Sequence, residues 1–180
     1  MQLTVKPSPE RVGKSGKRLG QLHGGATRIL IYESILDQIL AHSDARQQHE
    51  QGGFLIGGAY EDNGCYVEIR GFLPAENTVN QAAHVVFTHD TWSRMRQEIS
   101  TRFPGETVVG WYHTHPGLGI FFSEYDRFIH RHFFGSPWHV ALVVDPRRGE
   151  FAFFEWHAND IVDAGFVCLW GEPPSTPPAT

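Results

Sequence analysis

The chain has 180 residues, of which 41% are hydrophobic and 19% are charged, with a formal net charge of −5. This composition is typical of a globular protein of one domain, and the acidic balance gives no reason to expect nucleic acid as a partner. No apolar run approaches the length of a membrane span or forms the core of a signal peptide, and Cys65 and Cys168 are too few for a disulfide framework. We therefore expect a cytoplasmic protein without a membrane partner.

The sequence divides into a short lead-in, one domain and a tail. Residues 1–26 are polar, rich in glycine and without periodicity, so we expect a flexible lead-in with at most one short strand, over residues 2–5. Residues 27–170 form a single domain. Residues 171–180 are rich in proline, and we expect a disordered tail.

Hydrophobic periodicity and turn signals predict the elements of the domain. In chain order they are a strand over 28–32, a helix over 33–45, strands over 54–60 and 65–73, a polar loop over 74–83, a strand over 84–88, a helix over 89–103, a strand over 107–112, a helix from Ser123 to about residue 134, a hairpin over 138–144 and 150–156, and a strand over 165–170. Strands interspersed with few helices, and several joined as hairpins, predict a mixed α/β sheet.

The helix that begins at Ser123 carries a recurring apolar pattern. The expected buried stripe consists of residues spaced i, i+3, i+4, i+7 and i+8, namely Tyr125, Phe128, Ile129, His132 and Phe133. We expect His132, which lies on this stripe, to be a buried packing residue rather than a ligand.

A buried strand delivers two histidines to one place. Residues 107–112 are β-branched or aromatic, as in a buried strand, and His113 and His115 then lie on the same face because side chains alternate along a strand. Pro116 ends the strand at this point. Thr114, between the two histidines, is expected on the opposite face, in packing or in a hydrogen bond that supports the site.

A second segment offers a carboxylate after a glycine-rich turn. Ser123 and Asp126 are spaced i, i+3, which places them on one side of the predicted helix. His113, His115 and Asp126 make a three-ligand set for zinc with an open fourth position, the arrangement of a catalytic site. Each part also has an explanation that involves no metal. His-x-His can arise by chance in a chain with 11 histidines, and Ser123 with Asp126 can form a capping box.

Together these residues resemble a known family signature. His-Thr-His-Pro, six residues, and then Ser-x-x-Asp is similar to the motif of the JAMM (MPN-domain) zinc metalloproteases, which include deubiquitinases of the proteasome lid and the signalosome. An upstream Glu-x-x-Gly motif that opens a strand also matches, and its glutamate is Glu50. The similarity covers residues 27–156.

The resemblance implies a fold, a cofactor and residue roles. The fold is a curved mixed sheet flanked by helices, with the zinc at one edge, and one Zn²⁺ binds per chain. Glu50 acts as the general base on the attacking water rather than as a ligand. Ser123 donates a hydrogen bond to the oxyanion, which is typically worth ~3 kcal/mol.

The resemblance also implies a substrate class. The substrate is a ubiquitin-like protein cleaved after its C-terminal tail, in deconjugation or in precursor processing, and the activating and conjugating enzymes of the same pathway are candidate partners. The chain lacks the long insertion that follows Asp145-Pro146 in the eukaryotic enzymes, which resembles compact bacterial members and favours a bacterial ubiquitin-like or sulfur-carrier protein. We expect residues 74–86 to hold the tail by strand addition.

Two other functions are compatible with the sequence. One is a protease that processes a sulfur-carrier precursor. The other is a catalytically silent MPN scaffold, although such scaffolds usually lose zinc ligands, and this chain retains His113, His115, Asp126 and Glu50.

Overall fold

A computed structural model describes residues 3–21, 27–45, 47–75 and 88–175. Its elements are β1 Thr4–Val5, β2 Gly16–Leu19, β3 Arg28–Tyr32, α1 Glu33–Asp44, β4 Gly52–Glu61, β5 Cys65–Pro74, α2 His89–Arg102, β6 Thr107–Thr114, α3 Glu124–Phe133, β7 Val140–Asp145, β8 Glu150–His157, β9 Asp160–Ala164 and β10 Phe166–Leu169. None of the helices in these ranges has the length and apolar character needed to cross a membrane.

One curled, mixed sheet organises the molecule. Its strand order is β2-β10-β3-β5-β4-β6-β7-β8-β9, and β1 adds to the far end of β4. The β4–β5, β4–β6 and β7–β8 pairs are antiparallel, whereas β3–β5 and β6–β7 are parallel. The predicted mixed α/β class is confirmed. Strand β6 lies inside the sheet, so its carboxyl end is bordered by β4 and β7.

The two faces of the sheet form two hydrophobic cores. On one face, α1 packs its apolar stripe of Ile35, Leu36 and Ile39 against the sheet, as predicted. On the other face, Met95 of α2 and Ile129 of α3 pack with sheet residues such as Trp111. Because side chains alternate along β6, Trp111 faces the second core and Tyr112 faces the first. Both side chains are buried, as expected for a strand over residues 107–112 that lies inside the fold.

The flexible lead-in expected for residues 1–26 departs from the structure over residues 3–21, where the short strand expected within residues 2–5 does form as β1 and a second strand, β2, follows it. Strand β1 pairs in parallel with the end of β4, and β2 pairs antiparallel with β10. Side chains also fasten this segment, because the buried Glu68 carboxylate accepts a hydrogen bond from Lys6 Nζ at 2.8 Å and Asp62 Oδ2 accepts one from the Ser8 N–H at 2.8 Å. Pairing with distant strands therefore orders a segment whose own residues show no periodicity.

Two further departures concern the second half of the chain. Strand β9 is not predicted, and it forms because Ala158 and Asn159 take positive φ angles of 49° and 66° and turn the chain back along β8. The predicted stripe of α3 is right at Ile129, which is buried, and at Tyr125, which packs against the second core, but wrong at Phe128 and Phe133, which are 50% and 41% exposed. Beside Ile129 the helix buries Asp126 and His130, so its buried face includes the carboxylate that lies next to the β6 histidines.

Some predictions fall outside the described residues. The predicted strand over 84–88 does so except for Thr88, which is the N-cap of α2. Most of the loop proposed to hold a substrate tail, residues 74–86, also lies outside them. Residues 171–175 contain no helix or strand, and the rest of the predicted tail is not described.

Candidate metal centre

The end of β6 presents both histidines on one side of the sheet. His113 is the partner of Gly52 in β4 and of Val143 in β7. The His115 N–H continues this pairing by donating to the Val144 carbonyl at 2.8 Å. Both side chains are buried, at 1% and 3% exposure. Two neighbouring strands therefore fix the main chain beneath both imidazoles.

The turn after Pro116 is held by a buried carboxylate. Asp145 accepts hydrogen bonds from the N–H groups of Gly117 and Gly119, both at 2.8 Å, and from that of Arg147 at 3.0 Å. Gly117 and Gly119 take φ angles of 80° and 85°, which suit glycine. Burial alone would raise the pKa of Asp145, but these N–H donors lower it below its usual value. The turn thus keeps a fixed shape between β6 and α3.

Helix α3 begins with the capping box that the sequence allows. Ser123 Oγ accepts a hydrogen bond from the Asp126 N–H at 3.1 Å, and Asp126 Oδ2 accepts one from the Ser123 N–H at 2.7 Å. Asp126 is nevertheless also turned towards the histidines. The capping and metal-site interpretations of this pair are therefore compatible.

The three candidate ligands converge on one point. Asp126 Oδ1 lies 3.2 Å from His113 Nε2, and Asp126 Oδ2 lies 3.5 Å from His115 Nε2. One ligand atom from each of the three residues falls within 4.8 Å of the other two. Ligand bonds of about 2.1 Å at the tetrahedral angle separate neighbouring ligand atoms by about 3.4 Å. The donor set and its spacing therefore fit a zinc ion.

The protonation states also suit a cation. Burial lowers the pKa of His113 below its usual value and keeps the imidazole neutral. Burial opposes ionisation of Asp126, but the imidazole nitrogens of His113 and His115 beside it lower the pKa of its carboxyl well below the usual range. Both nitrogens of His113 are buried without hydrogen-bond partners among the described residues. Neutral imidazoles beside an ionised carboxylate are the forms that bind a metal.

Glu50 lies next to this set but outside it. It precedes β4 by two residues, and β4 pairs with the end of β6 through Gly52 and His113. The pKa of Glu50 is raised to about 7, chiefly by burial, while the proximity of His115 lowers it and the negative charge of Asp126 raises it. A carboxylate that titrates near neutrality is suited to accept and return a proton.

Aromatic rings enclose the histidines. The Trp111 ring stacks on His113 with centroids 4.4 Å apart and planes at 15°, and the Phe121 ring lies 4.4 Å from that of His115. Trp111 Nε1 donates to Nδ1 of the buried His130 at 3.0 Å. His132, expected to be buried, is exposed and bonds to the Phe128 carbonyl. The buried histidine of α3 is therefore His130, which the apolar stripe does not reveal.

The structure thus brings the sequence-predicted residues to one end of the sheet. His113, His115 and Asp126 form the single cluster of potential metal ligands found in the described ranges. The binding of zinc and the catalytic roles of Glu50 and Ser123 stay predictions. Sequence reasoning missed Phe121 and His130, and of these only Phe121 carried a signal, as an aromatic residue in the turn that follows the histidines.

Comparisons with known proteins identify similar chains. The family model of the prokaryotic homologues of the JAB domain matches residues 32–157. NAD(+) hydrolase TcpA of Theionarchaea archaeon (strain DG-70-1) is 32% identical over 117 residues, which cover 64% of this chain and 33% of TcpA. COP9 signalosome complex subunit 5 of Eremothecium gossypii is 30% identical over 133 residues, or 71% of this chain and 28% of that subunit.

Two further similarities are more distant. The 26S proteasome non-ATPase regulatory subunit 14 of Drosophila melanogaster is 29% identical over 154 residues, which cover 84% of this chain and 49% of the subunit. The chain thus spans between about a quarter and a half of the length of these curated relatives. The solution structure of protein DSY2949 from Desulfitobacterium hafniense superposes with a TM-score of 0.59 at 18% identity, over 81% of this chain and 94% of that one. This likeness shows a shared fold.

Proposed function

This chain belongs to the JAB/MPN family, among the prokaryotic homologues of the JAB domain, and on that premise we propose that it is a zinc-dependent peptidase that cleaves after the C-terminal tail of a ubiquitin-like protein. The observation that carries the proposal is the buried set of His113, His115 and Asp126 with Glu50 beside it. A family scaffold without catalysis has no need of this combination. Three ligands leave room for a water, and the neighbouring carboxylate can take its proton.

Each side chain has a separable task. His113, His115 and Asp126 would hold the zinc. When bound, zinc supplies Lewis acidity, which makes water acidic near neutral pH and polarises a carbonyl. Glu50 accepts the proton of the attacking water and delivers it to the departing amine. Ser123 accepts the Asp126 N–H through a lone pair of Oγ, so its O–H remains able to donate to the developing oxyanion.

The substrate class rests on the relatives and on the shape of one hairpin. Two of the relatives are named as subunits of the COP9 signalosome and the 26S proteasome. Here the turn between β7 and β8 contains only residues 146–149, which leaves no insertion to grip a large conjugate. We therefore favour a bacterial ubiquitin-like or sulfur-carrier protein, whose flexible tail can reach the zinc without such support.

One experiment tests the proposal. The zinc-loaded protein is incubated with a sulfur-carrier protein and, separately, with ubiquitin. Each substrate carries a short peptide after its terminal Gly-Gly, and the masses of the products are measured by mass spectrometry. We expect cleavage after Gly-Gly that is lost with Glu50→Gln. A zinc-loaded wild-type protein that cleaves neither substrate would contradict the proposal and favour a scaffold.

NAD(+) hydrolysis by the similar TcpA serves as a control activity. Because the match covers 33% of TcpA, the named activity of that protein need not lie in the shared segment. We expect no zinc-dependent loss of NAD(+) in the same preparation, measured by chromatography. Hydrolysis of NAD(+) that Glu50→Gln abolishes would instead assign this centre a different substrate.

A further inference from the structure

Thr114 stands between the two candidate histidine ligands and faces away from both. It is fully buried, at 0% exposure, and ends β6. Side chains alternate along a strand, so its hydroxyl lies on the face opposite His113 and His115. The residue therefore cannot share their metal, and another contact must account for a buried hydroxyl at this position.

The hydroxyl contacts the main chain next to Glu50. Thr114 Oγ1 accepts a hydrogen bond from the Gln51 N–H at 2.9 Å, and the Thr114 N–H donates to the Gln51 carbonyl, also at 2.9 Å. The Gln51 N–H belongs to the planar peptide unit that starts at the Glu50 Cα. Fixing this N–H therefore fixes the position of the Glu50 Cα and restricts the directions in which its side chain can point.

Glu50 lies outside the helices and strands of the described residues. Helix α1 ends at Asp44 and β4 begins at Gly52, so Glu50 lies in neither element. The Gln51 side chain adds one anchor, since its Nε2 donates to the Ser43 carbonyl at 3.2 Å. The Thr114 hydroxyl thus links the peptide of Glu50 directly to the strand that carries the histidines.

We propose that Thr114 is a positioning residue for Glu50, because its hydroxyl fixes the Glu50–Gln51 peptide relative to His113 and His115. This inference rests on the proposed function, in which Glu50 is the base. One strand end then positions the metal ligands directly, through the side chains of one face, and the base indirectly, through the Thr114 hydroxyl on the other face. A displacement of about 1 Å in such an arrangement can lower the rate about 100-fold.

The substitution Thr114→Val distinguishes a positioning role of Thr114 from a role in packing alone. Thr114→Val keeps the branched shape and the strand preference but removes the hydroxyl, so a residue needed only for packing tolerates it. Thr114→Ser loses a methyl group but keeps the hydroxyl. The control is Thr107→Val, the same change at the exposed start of the same strand.

The test combines kinetics with hydrogen exchange at one amide. With zinc loaded and cleavage of the Gly-Gly substrate as the assay, we expect Thr114→Val to lower kcat about 10- to 100-fold with KM and zinc content unchanged. Thr114→Ser should stay within about threefold of the wild type, as should Thr107→Val. In NMR of the folded proteins, the Gln51 amide should exchange at least about 10-fold faster in Thr114→Val than in Thr114→Ser.

The outcomes separate this inference from the proposed function. Unchanged kcat and unchanged Gln51 exchange in Thr114→Val overturn the inference while the peptidase activity stands. An inactive wild-type protein overturns the proposed function and the role of Thr114 in catalysis, but the exchange measurement still decides whether Thr114 holds the Glu50 peptide. If Thr114→Val does not fold, Thr114→Ala serves as the variant without the hydroxyl.

Discussion

Ser123 is expected to have two roles that substitutions can separate. Its Oγ caps α3 by accepting the Asp126 N–H, and its O–H is proposed to stabilise the oxyanion. Loss of a serine N-cap to alanine costs ~1 kcal/mol, whereas replacement by glycine costs only a few tenths. Loss of one oxyanion donor lowers kcat about 100- to 1,000-fold. The capping role thus predicts a larger loss of stability for Ser123→Ala than for Ser123→Gly, whereas the oxyanion role predicts the same loss of kcat for both variants.

The expected loss of stability is too small to account for the expected loss of kcat. A domain stable by about 5 kcal/mol that loses about 1 kcal/mol still has only about 0.1% of its molecules unfolded. The melting temperature of a chain of this size should fall by roughly 2–4 °C for Ser123→Ala and by less for Ser123→Gly. Both variants should nevertheless lose kcat to the same extent, with KM nearly unchanged.

The assay measures melting by circular dichroism and turnover on the Gly-Gly substrate at full zinc loading. Thr88→Ala is the matched control, because Thr88 caps α2 in the same way through Oγ1, which accepts from the Thr91 N–H at 3.2 Å. This control should lose stability as Ser123→Ala does while kcat stays within about twofold, because Thr88 is neither a candidate metal ligand nor a proposed oxyanion donor. If Ser123→Gly kept near-normal kcat, Ser123 would be a helix cap only.

Three further outcomes are expected. Metal analysis should find about one zinc per chain, and a His113→Ala, His115→Ala protein that kept full occupancy would contradict the ligand assignment. Glu50→Gln should keep the fold, the zinc and substrate binding but lose turnover, since glutamine cannot take a proton; near-normal turnover would require a different base. The metal-free protein should lose stability as the pH falls from 6.5 towards 4, since burial lowers the pKa of His130 to about 3 and that of His139 to about 4, so unfolding takes up protons. Glu50, with a pKa raised to about 7, has the opposite effect, because its contribution to the free energy of unfolding is lost as the pH rises. Urea titrations at pH 7 and pH 4.5 measure which effect is larger. Equal urea midpoints at the two pH values would refute the dominance of the two histidines.

Local signals explain what the sequence could predict. His113 and His115 share a face because of strand alternation, and Pro116 ends the strand beside them. The Ser123 cap and Asp126 follow from spacing within one helical turn. These relations involve residues close in sequence, so they do not depend on the rest of the fold. Glu50 belongs to no helix or strand, and only the family resemblance singled it out.

Other features depend on contacts that the pattern does not encode. The buried face of α3 could not be read from apolar residues, because the site requires Asp126 to face β6 and His130 lies one turn further on the same face. Strand β2 is short, polar and exposed, and only its pairing with β10 makes it a strand. Tertiary context overrides local preference in both cases.

The pairing of β2 with β10 has a consequence for the order of assembly during synthesis. Leu30 of β3 pairs with Val167 of β10, and Lys17 of β2 pairs with Cys168. Among the described residues β2 has no other strand neighbour. Although β2 leaves the ribosome long before β10, it can enter the sheet only after β10, whereas β4 to β7, which carry the candidate metal centre, can pair earlier. One side of β3 meanwhile stays unpaired, which is the condition in which a nascent chain is most prone to wrong strand pairing.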